Sequence, residues 1–401
     1  MFFRNTKKFL SSGLFFMIFT VFACDIPAQN ATDSTKISVG AEQTSEYFPL
    51  LEGKKVGLVG NQSSVVGGTH LLDTLLHSDI EVKRIFCPEH GFRGQAEAGA
   101  RVGNSVDATS GVPIVSLYGN NKKPQPEQLK DLDIMVFDIQ DVGARFYTYI
   151  STLHYVMEAC AENGVPLLVL DRPNPNGFYV DGPVLDTHYR SFVGMHPVPV
   201  VHGMTIGEYA RMINGEKWLK NGAQCGLTVI KVKNYTHDSL YHLPIAPSPN
   251  LQTDNAILLY PSLCCFEGTT VSVGRGTAMP FEVIGSPSYS DKQFSFVPQS
   301  IKGVSTNPLH KGKTCYGMDL KNDGMKIVEA KRLNLEYLIT MYQKSDKNTF
   351  FLKNNFFDKL MGTGELRKQI QKGLGEKEIR ASWEPKLTEY KTMRKKYLIY
   401  E

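Results

Sequence analysis

Short apolar runs alternate with amphipathic segments over the first half of the chain. The apolar runs are typical of strands buried on both faces of a sheet. They predict strands at 55–59, 80–87, 112–118, 134–139, 165–170 and 227–232. Apolar residues at helical spacing predict helices between them, at 69–77, 124–129, 146–163 and 205–213. Strands that alternate with helices indicate a parallel sheet, so the fold class is α/β with a Rossmann-like layer.

The composition changes after the fifth strand. Residues 172–200 are rich in Pro, Gly and Asn, as in a long functional loop, and residues 244–288 carry many prolines, glycines and aromatic residues. From about residue 315 the chain is rich in Lys and mixes helical and strand patterns. We therefore predict a Rossmann-like domain over 46–258 and a smaller α+β domain over 259–401.

The first 45 residues have a different pattern. Basic residues at 4, 7 and 8 precede the apolar run 9–23, which predicts a secretion signal over 1–23. The run ends in Val-Phe-Ala-Cys, a pattern that resembles a lipobox and predicts lipid attachment at Cys24. An ordinary signal peptide with a chance cysteine is the alternative. Residues 24–45 are polar and predict a flexible tether. We expect an exported lipoprotein, periplasmic or outer-membrane-anchored, held at the membrane by its lipid anchor only.

Charge, cysteines and motifs exclude several function classes. The formal net charge is +4, and three of the basic residues belong to the leader, so the rest is nearly neutral and predicts no nucleic-acid binding. The six other cysteines show no CxxC spacing, which disfavours a zinc knuckle and leaves both buried thiols and disulfides open. The chain lacks a P-loop, a G-x-S-x-G elbow and a dinucleotide fingerprint. We predict no cofactor and no metal.

Polar residues follow five successive predicted strands. The carboxyl ends of parallel strands share one edge of the sheet, where ligands bind in open α/β folds. We expect these side chains to line a single cleft, although exposed strand ends are often polar in any case. They are Asn61, Glu89, His90, Arg93, Tyr118, Asp138, Asp141, Arg145, Asp171, Arg172 and Asn174.

Glu89 is the leading catalytic candidate. It lies on a tight loop with His90 and Arg93, between Pro88 and Gly91. Apolar neighbours would disfavour the charged carboxylate and keep a proton available for a leaving group. An ion pair with Arg93 would have the opposite effect. His90 could act as a base, or it could only hydrogen-bond the loop.

A second carboxylate would be needed for acid–base hydrolysis of a glycoside. Asp138, Asp141 and Asp171 are the candidates, although the first two could instead cap the helix that follows. Arginines are preferred where a carboxylate is gripped by two hydrogen bonds, so Arg93, Arg145, Arg172 and Arg275 suggest an anionic substrate; ordinary surface arginine is the alternative. Tyr118 and Tyr147 could stack on sugar rings, although aromatic residues at helical spacing are more often core.

Several segments resemble the NamZ-type exo-β-N-acetylmuramidases, a family first described as a domain of unknown function. They are FCPEHGFRG (86–94), FDIQDVGARFYTYISTL (137–153), LDRPNPNG (170–177), DGPVL (181–185), VHGMTIGEYA (201–210), APSPNL (246–251) and FEGTTVSVGRGTAMPFEVIGSP (266–287). The resemblance implies a Rossmann-like catalytic domain followed by a smaller domain. It also implies hydrolysis that releases N-acetylmuramic acid from the non-reducing end of peptidoglycan fragments, with Glu89 of the PEHG motif as the acid.

The resemblance also extends the set of site residues. His202 and Glu267 lie in matching motifs and are expected to bind substrate. The lactyl carboxylate of N-acetylmuramic acid would be recognised by Arg145, Arg172 or Arg275. The expected partners are peptidoglycan-derived disaccharides and muropeptides.

Two other functions remain open at this point. A lipoprotein that binds muropeptide sugars without cleaving them would use the same arginines and aromatic residues. A metal-dependent hydrolase would use His90, Asp138 and Asp141. The oligomeric state and the stereochemical course are not predicted. The second catalytic group also stays open between Asp138, Asp141 or Asp171 and the substrate's own acetamido group.

Overall fold

A computed structural model describes residues 36–89, 91–92 and 105–401. The predicted leader and Cys24 lie outside these residues, as do His90 and Arg93. None of the helices within the described ranges is long and apolar enough to cross a membrane.

A seven-stranded sheet forms the first part of the fold, in the order β5-β6-β4-β1-β7-β8-β9. Neighbouring strands are parallel except for the edge strand β5, which runs antiparallel to β6. A separate small hairpin joins β2 and β3. The strands up to this point are β1 (Val56–Gly60), β2 (Val65–Val66), β3 (Thr69–His70), β4 (Val82–Cys87), β5 (Ser105–Val106), β6 (Pro113–Ser116), β7 (Ile134–Asp138), β8 (Leu167–Leu170) and β9 (Leu227–Ile230).

Helices cover both faces of this sheet. Side chains alternate between the faces, so Leu58 packs in one apolar cluster with α1 and α2, and Val59 in the other with α3, α4 and α5. The helices are α1 (Thr44–Leu51), α2 (Leu71–His77), α3 (Pro126–Leu129), α4 (Tyr149–Asn163) and α5 (Ile206–Gly215). Burial on both faces is the reason that these strands read as continuous apolar runs.

The smaller second part combines helices with an antiparallel sheet in the order β10-β12-β11. Its apolar residues continue the cluster that covers α4 and α5, so the two parts share one core. The elements are α6 (Asp254–Leu263), β10 (Val283–Ser286), β11 (Ser295–Phe296), β12 (Cys315–Asp319), α7 (Gly324–Ala330), α8 (Glu336–Gln343), α9 (Phe356–Met361), α10 (Glu365–Lys372) and α11 (Glu376–Arg394). Short 3-10 turns lie at Gly40–Glu42, Thr187–Tyr189, Lys220–Gly222 and Cys264–Gly268.

The structure confirms the α/β class, the Rossmann-like parallel sheet and the smaller second part. Thr205 caps α5 and forms a capping box with Glu208. Gly164 ends α4 in the left-handed conformation. The predicted limits of the two domains remain predictions.

The tether prediction is wrong for its last residues. Ser38 pairs with Lys233, and the Gly40 N–H donates to the Asp171 carbonyl at 2.8 Å. Ala41 is fully buried. A polar segment without periodicity can therefore still be fixed, here by backbone hydrogen bonds to the ends of strands.

Candidate active site

A cleft of about 750 Å³ lies where loops after β4 and β6 meet the second part of the fold. The first part lines it with Glu89, Tyr118, Phe146, Tyr147, Thr148, Tyr149, Phe192 and Val193. The rest of the lining comes from Ser248, Leu251, Tyr260, Cys264, Glu267, Arg275, Phe281, residues 304–309, Phe356 and Leu360. Aromatic side chains supply much of this surface, and the lining includes two carboxyl side chains, Glu89 and Glu267, and one guanidinium, Arg275.

A tight turn at the end of β4 positions Glu89. The Gly91 N–H donates to the Pro88 carbonyl at 3.1 Å, and Gly91 has a φ of +75°, which favours glycine. The Leu117 N–H donates to the Cys87 carbonyl at 2.8 Å, which keeps the chain after β6 beside this turn. Glu89 is half-buried, and Phe86 in the preceding strand is fully buried.

Tyr118 is hydrogen-bonded to Glu89. Burial raises the pKa of the Tyr118 phenol, and the negative charge and hydrogen bond of Glu89 raise it further. The phenol therefore stays neutral and keeps its O–H for the hydrogen bond with the Glu89 side chain. This contact fixes the Glu89 side chain at the wall of the cleft.

Two tyrosines at the start of α4 hold a second wall in place. The hydroxyls of Tyr147 and Tyr149 donate to the Pro247 carbonyl at 2.8 and 3.3 Å, and their rings pack edge to face at 4.8 Å. The Asn61 amide donates to the Tyr149 hydroxyl at 3.0 Å. Asn61 is fully buried and acts on the cleft through Tyr149, whereas Tyr147 lines it directly.

The segment 246–251 connects the tyrosine wall to the far side of the cleft through hydrogen bonds. Gln62 donates its amide N–H to the Ala246 and Pro247 carbonyls at 3.3 and 3.1 Å. Asn250 in turn donates to the Val304 carbonyl at 3.1 Å. The APSPNL motif is therefore a connector that places Ser248 and Leu251 in the cleft and anchors the loop 304–309.

Glu267 and Arg275 form an ion pair in the lining of the cleft. Nε and Nη2 of Arg275 both lie 2.7 Å from Oε1 of Glu267. The guanidinium also lies 5.2 Å from the centre of the Phe281 ring. About a quarter of each of the two charged side chains is exposed, so both can be reached from the cleft.

The two glycines that flank Arg275 are required by the backbone of its loop. Gly274 and Gly276 have φ values of +77° and +80°. A Cβ at Gly274 would lie 2.5 Å from the Met279 carbonyl, and one at Gly276 would lie 2.4 Å from the Gln299 carbonyl. The G-R-G sequence thus shapes a close-packed loop that presents Arg275.

Asp138 and Arg172 form a second ion pair, which does not line the cleft. Arg172 donates from Nε and Nη2 to the two Asp138 oxygens at 2.5 and 2.9 Å, and Nη2 also donates to the Val65 carbonyl at 3.1 Å. Both side chains are almost completely buried. Their placement does not support the predicted contact with substrate, because each charge is neutralised within the protein.

Asp171 and Asn174 are buried and bonded to protein groups as well. Asp171 accepts from Thr205 Oγ1 at 2.7 Å, from the Gly207 N–H at 2.8 Å and from the Tyr400 hydroxyl at 2.6 Å. Burial raises its pKa to about 6 despite these bonds. Asn174 donates to the Met204 carbonyl at 2.9 Å. These contacts tie β8 to α5 and the chain end, so they do not support a catalytic role for Asp171.

Arg145 does not bind a carboxylate in this structure. It is fully buried, and its guanidinium donates to the carbonyls of Pro183, Val198 and Leu360 at 2.9, 2.7 and 2.9 Å. Burial lowers its pKa to about 9. Leu360 lines the cleft, so Arg145 stabilises the cleft wall from behind. Direct contact between Arg145 and substrate is not supported.

Asp141 and His202 form a buried pair near the same wall. Oδ2 of Asp141 accepts from the Gly143 N–H at 2.7 Å and lies 3.9 Å from Nε2 of His202. Burial raises the pKa of Asp141 to about 7 and lowers that of His202 to about 3. Neither residue lines the cleft, so direct contact with substrate is not supported for either.

The remaining groups to consider are the cysteines and possible metal ligands. The six cysteines among the described residues are free and buried. In the described ranges, no group of three or more His, Cys, Asp and Glu side chains could hold a metal ion. His90 and Arg93 fall outside the description, so their predicted roles stay predictions.

Sequence reasoning missed most of the wall from the second part of the fold. Tyr260 packs edge to face on Phe146 at 5.4 Å and on Phe281 at 5.0 Å, and Phe356 adds further aromatic surface. The signal that could have found this wall is the density of Pro, Gly and aromatic residues over 244–288. That pattern indicated a junction but not which side chains face it.

Comparisons with known proteins agree with this architecture. The family model described as exo-β-N-acetylmuramidase NamZ, N-terminal, matches residues 56–255, and the corresponding C-terminal model matches residues 258–400. The peptidoglycan β-N-acetylmuramidase NamZ of Bacillus subtilis (strain 168) is 39% identical over 416 residues, covering 99% of this chain and all of the relative.

Solved structures give the same answer. A DUF1343 family protein from Bacteroides fragilis NCTC 9343 is 47% identical, with a TM-score of 0.85 over 91% of this chain and 99% of its own. A second DUF1343 family protein from the same organism is 29% identical, with a TM-score of 0.75 over 92% of this chain and all of its own. The chain therefore belongs to the NamZ family of exo-β-N-acetylmuramidases, a family of glycosidases.

Proposed function

We propose that this protein is an exo-acting glycoside hydrolase that releases N-acetylmuramic acid from the non-reducing end of peptidoglycan fragments, with Glu89 as the general acid. The observation that carries the proposal is the position of Glu89, half-buried in an aromatic cleft and hydrogen-bonded to Tyr118. Membership of a glycosidase family favours hydrolysis over binding of muropeptide sugars alone.

In this mechanism Glu89 protonates the glycosidic oxygen as the bond to the anomeric carbon breaks. The proton comes from the Glu89 carboxyl, the electron pair of the bond stays with the departing sugar oxygen, and positive charge develops on the muramic acid ring. Water adds to the anomeric carbon, and its lost proton restores Glu89. The tyrosine and phenylalanine rings stack on the sugar and exclude bulk water.

The second group is proposed to be the acetamido oxygen of the substrate. The three aspartates predicted for this role lie outside the lining of the cleft, and each accepts hydrogen bonds from neighbouring protein groups. Glu267 lines the cleft, but Arg275 already binds its Oε1. In such an assisted route the acetamido oxygen bonds to the anomeric carbon as the glycosidic bond breaks, and water then displaces that oxygen, so no protein carboxylate serves as the nucleophile.

Arg275 is proposed to bind the lactyl carboxylate. Of the three arginines considered, Arg145 and Arg172 are buried against protein acceptors, whereas Arg275 lines the cleft. A guanidinium held by Glu267 and Phe281 is fixed in orientation before substrate arrives, which reduces the entropic cost of binding.

The test is the activity of Glu89→Gln on a disaccharide of N-acetylmuramic acid and N-acetylglucosamine, measured as free muramic acid. We expect kcat to fall by about 10²- to 10⁴-fold, the usual contribution of a general acid. For an aryl muramic acid glycoside with an acidic leaving group, kcat of the variant should fall much less, because the departure of that leaving group needs less protonation.

The matched control is Glu329→Gln, which makes the same change at an exposed position of α7 and should keep full activity. A folded Glu89→Gln protein with near-normal turnover of the disaccharide would exclude the proposed role. Wild-type protein that binds the disaccharide but releases no sugar over a range of pH would favour the binding-only alternative.

Export and lipid attachment at Cys24 are also proposed, in the periplasm or on the outer membrane, on the strength of the leader sequence alone. Labelling with a radioactive fatty acid should mark the wild-type protein and not Cys24→Ala. Equal labelling of both would reject the anchor without affecting the enzymatic proposal.

A further inference from the structure

A second groove, of about 580 Å³, adjoins the active-site cleft at Phe192, which lines both. Three cationic side chains line it, Lys122, Arg190 and Lys220, together with Trp218. None of these four lines the first cleft. The roles proposed above leave this surface unused.

The groove carries an excess of positive charge. Lys122, Arg190 and Lys220 form no ion pair with any acid in the described part of the chain. The acidic lining residue, Glu158, is already bound by Lys123 at 2.8 Å and accepts the Lys220 backbone N–H at 2.8 Å. Lys220 and Arg190 are exposed, so a ligand can reach them from solvent.

Aromatic rings accompany these cations. Tyr155 stacks on Phe192 at 6.3 Å with an angle of 20° between the rings, and Nζ of Lys122 lies 4.5 Å from the centre of the Phe192 ring. Trp218 stacks on His196 at 4.7 Å and 15°. Flat rings beside cations suit a sugar ring that carries an anionic group.

A pair of histidines supports the lining: His154 lines the groove, and the buried His196 stacks on the lining residue Trp218. His196 is hydrogen-bonded to His154 at 2.9 Å and to the Tyr209 hydroxyl at 3.0 Å. Burial lowers the pKa of both histidines, so the two rings stay neutral and the positive charge belongs to the lysines and the arginine. A preorganised wall of this kind lowers the ordering cost of a bound sugar.

We propose that this groove is a subsite for the second muramic acid of a peptidoglycan strand, with Arg190, Lys122 and Lys220 binding its lactyl carboxylate. The inference rests on the proposed function. The terminal muramic acid occupies the cleft, the following N-acetylglucosamine crosses Phe192, and the next carboxylate of the alternating strand reaches the cations. The enzyme then prefers strands longer than the disaccharide.

The experiment compares kcat/KM for a peptide-free tetrasaccharide, with two alternating repeats, and for the disaccharide. The wild type should favour the tetrasaccharide. Arg190→Glu replaces attraction by repulsion and should lower the tetrasaccharide-to-disaccharide ratio by about five- to tenfold, given the usual worth of exposed ion pairs. Added salt should lower the ratio for the wild type, because exposed charges are screened.

Lys377→Glu is the matched control, a charge reversal at an exposed lysine of α11 that lines neither cavity. Its ratio should equal that of the wild type. Lys220→Glu provides a second variant of the groove should Arg190→Glu fail to fold. Equal ratios for the two groove variants and the control would overturn the subsite.

A third substrate, a strand that carries peptide stems, distinguishes two sources of negative charge, the lactyl group and the peptide carboxylates. If the ratio depended on Arg190 only for strands that carry peptide stems, peptide carboxylates and not the lactyl group would be the ligand, and the proposal would be wrong. Failure of the proposed function is a separate result, since neither the disaccharide nor the tetrasaccharide would then be cleaved.

Discussion

Two acid–arginine pairs in this protein have the same chemistry and different surroundings. Asp138 and Arg172 are buried, with exposed side-chain fractions of 0% and 3%. Glu267 and Arg275 line the cleft, with fractions of 26% and 25%. Both pairs join acids and arginines of the predicted site, so residue type alone did not distinguish them.

Their hydrogen bonds show why the roles differ. Arg172 grips both oxygens of Asp138 and a backbone carbonyl, which satisfies the buried charges and fixes the ends of β7 and β8. Arg275 uses two nitrogens on one oxygen of Glu267, while Oε2 of Glu267 accepts a long bond from the Cys264 thiol. The first pair is complete within the protein, whereas the second keeps bonding capacity for a ligand.

Breaking each pair in turn should give the largest contrast. Asp138→Ala leaves Arg172 buried without its partner, and we expect a loss of about 3–5 kcal/mol in the free energy of unfolding. Glu267→Ala, the matched change, leaves a cation that water can reach, and should cost less than about 1 kcal/mol. Denaturant unfolding of both variants measures the difference, and equal losses would contradict the division into a structural and a functional pair.

Asp141 sharpens the comparison because it is an acid without an arginine. Its pKa is raised by burial from 3.8 to about 7, so the folded state holds the proton more tightly than the unfolded chain. The stability that this group contributes is therefore full below pH 3.8 and is lost as the pH rises through 7. Over that window the loss approaches roughly 4 kcal/mol.

Asp141→Asn tests this directly, since the amide oxygen can still accept from the Gly143 N–H. The variant should equal the wild type near pH 4 and become progressively more stable than it towards pH 8. His202 is present in both proteins, so its own titration cancels in the difference. A difference in unfolding free energy that stays constant between pH 4 and pH 8 would show that Asp141 titrates normally.

The contrast also marks how far the sequence could predict the molecule. Apolar runs such as 134–139 and 165–170 predicted central strands within two residues, because burial on both faces leaves a continuous pattern. The turn that places Glu89 was readable from Pro88 and Gly91. Which strand-end side chains turn inward was not readable, since Asp138 at the end of β7 and Glu89 just beyond β4 both looked like polar residues at strand ends.

The distant wall was harder still to predict. Arg275 meets the cleft through contacts with Glu267 and Phe281, and the loop 304–309 meets it through Asn250. These contacts join segments that no local pattern relates. Arg275 was a candidate from the sequence together with Arg145 and Arg172, and only its exposure to the cleft separates it from those two.

The smallest expected effect is on substrate selection by the exposed pair. Arg275→Gln removes the charge proposed to bind the lactyl carboxylate, a charge-assisted contact worth about 1.5–3 kcal/mol. We expect kcat/KM for an aryl muramic acid glycoside to fall by roughly 10- to 100-fold, and to fall far less for the N-acetylglucosamine glycoside, which lacks the lactyl group. Arg275→Lys keeps the charge and should recover part of the lost kcat/KM. The recovery should be incomplete, because a lysine cannot offer two parallel hydrogen bonds. Equal losses on both glycosides would mean that Arg275 shapes the cleft through Glu267 and does not read the carboxylate. The exposed pair would then be as structural as the buried one.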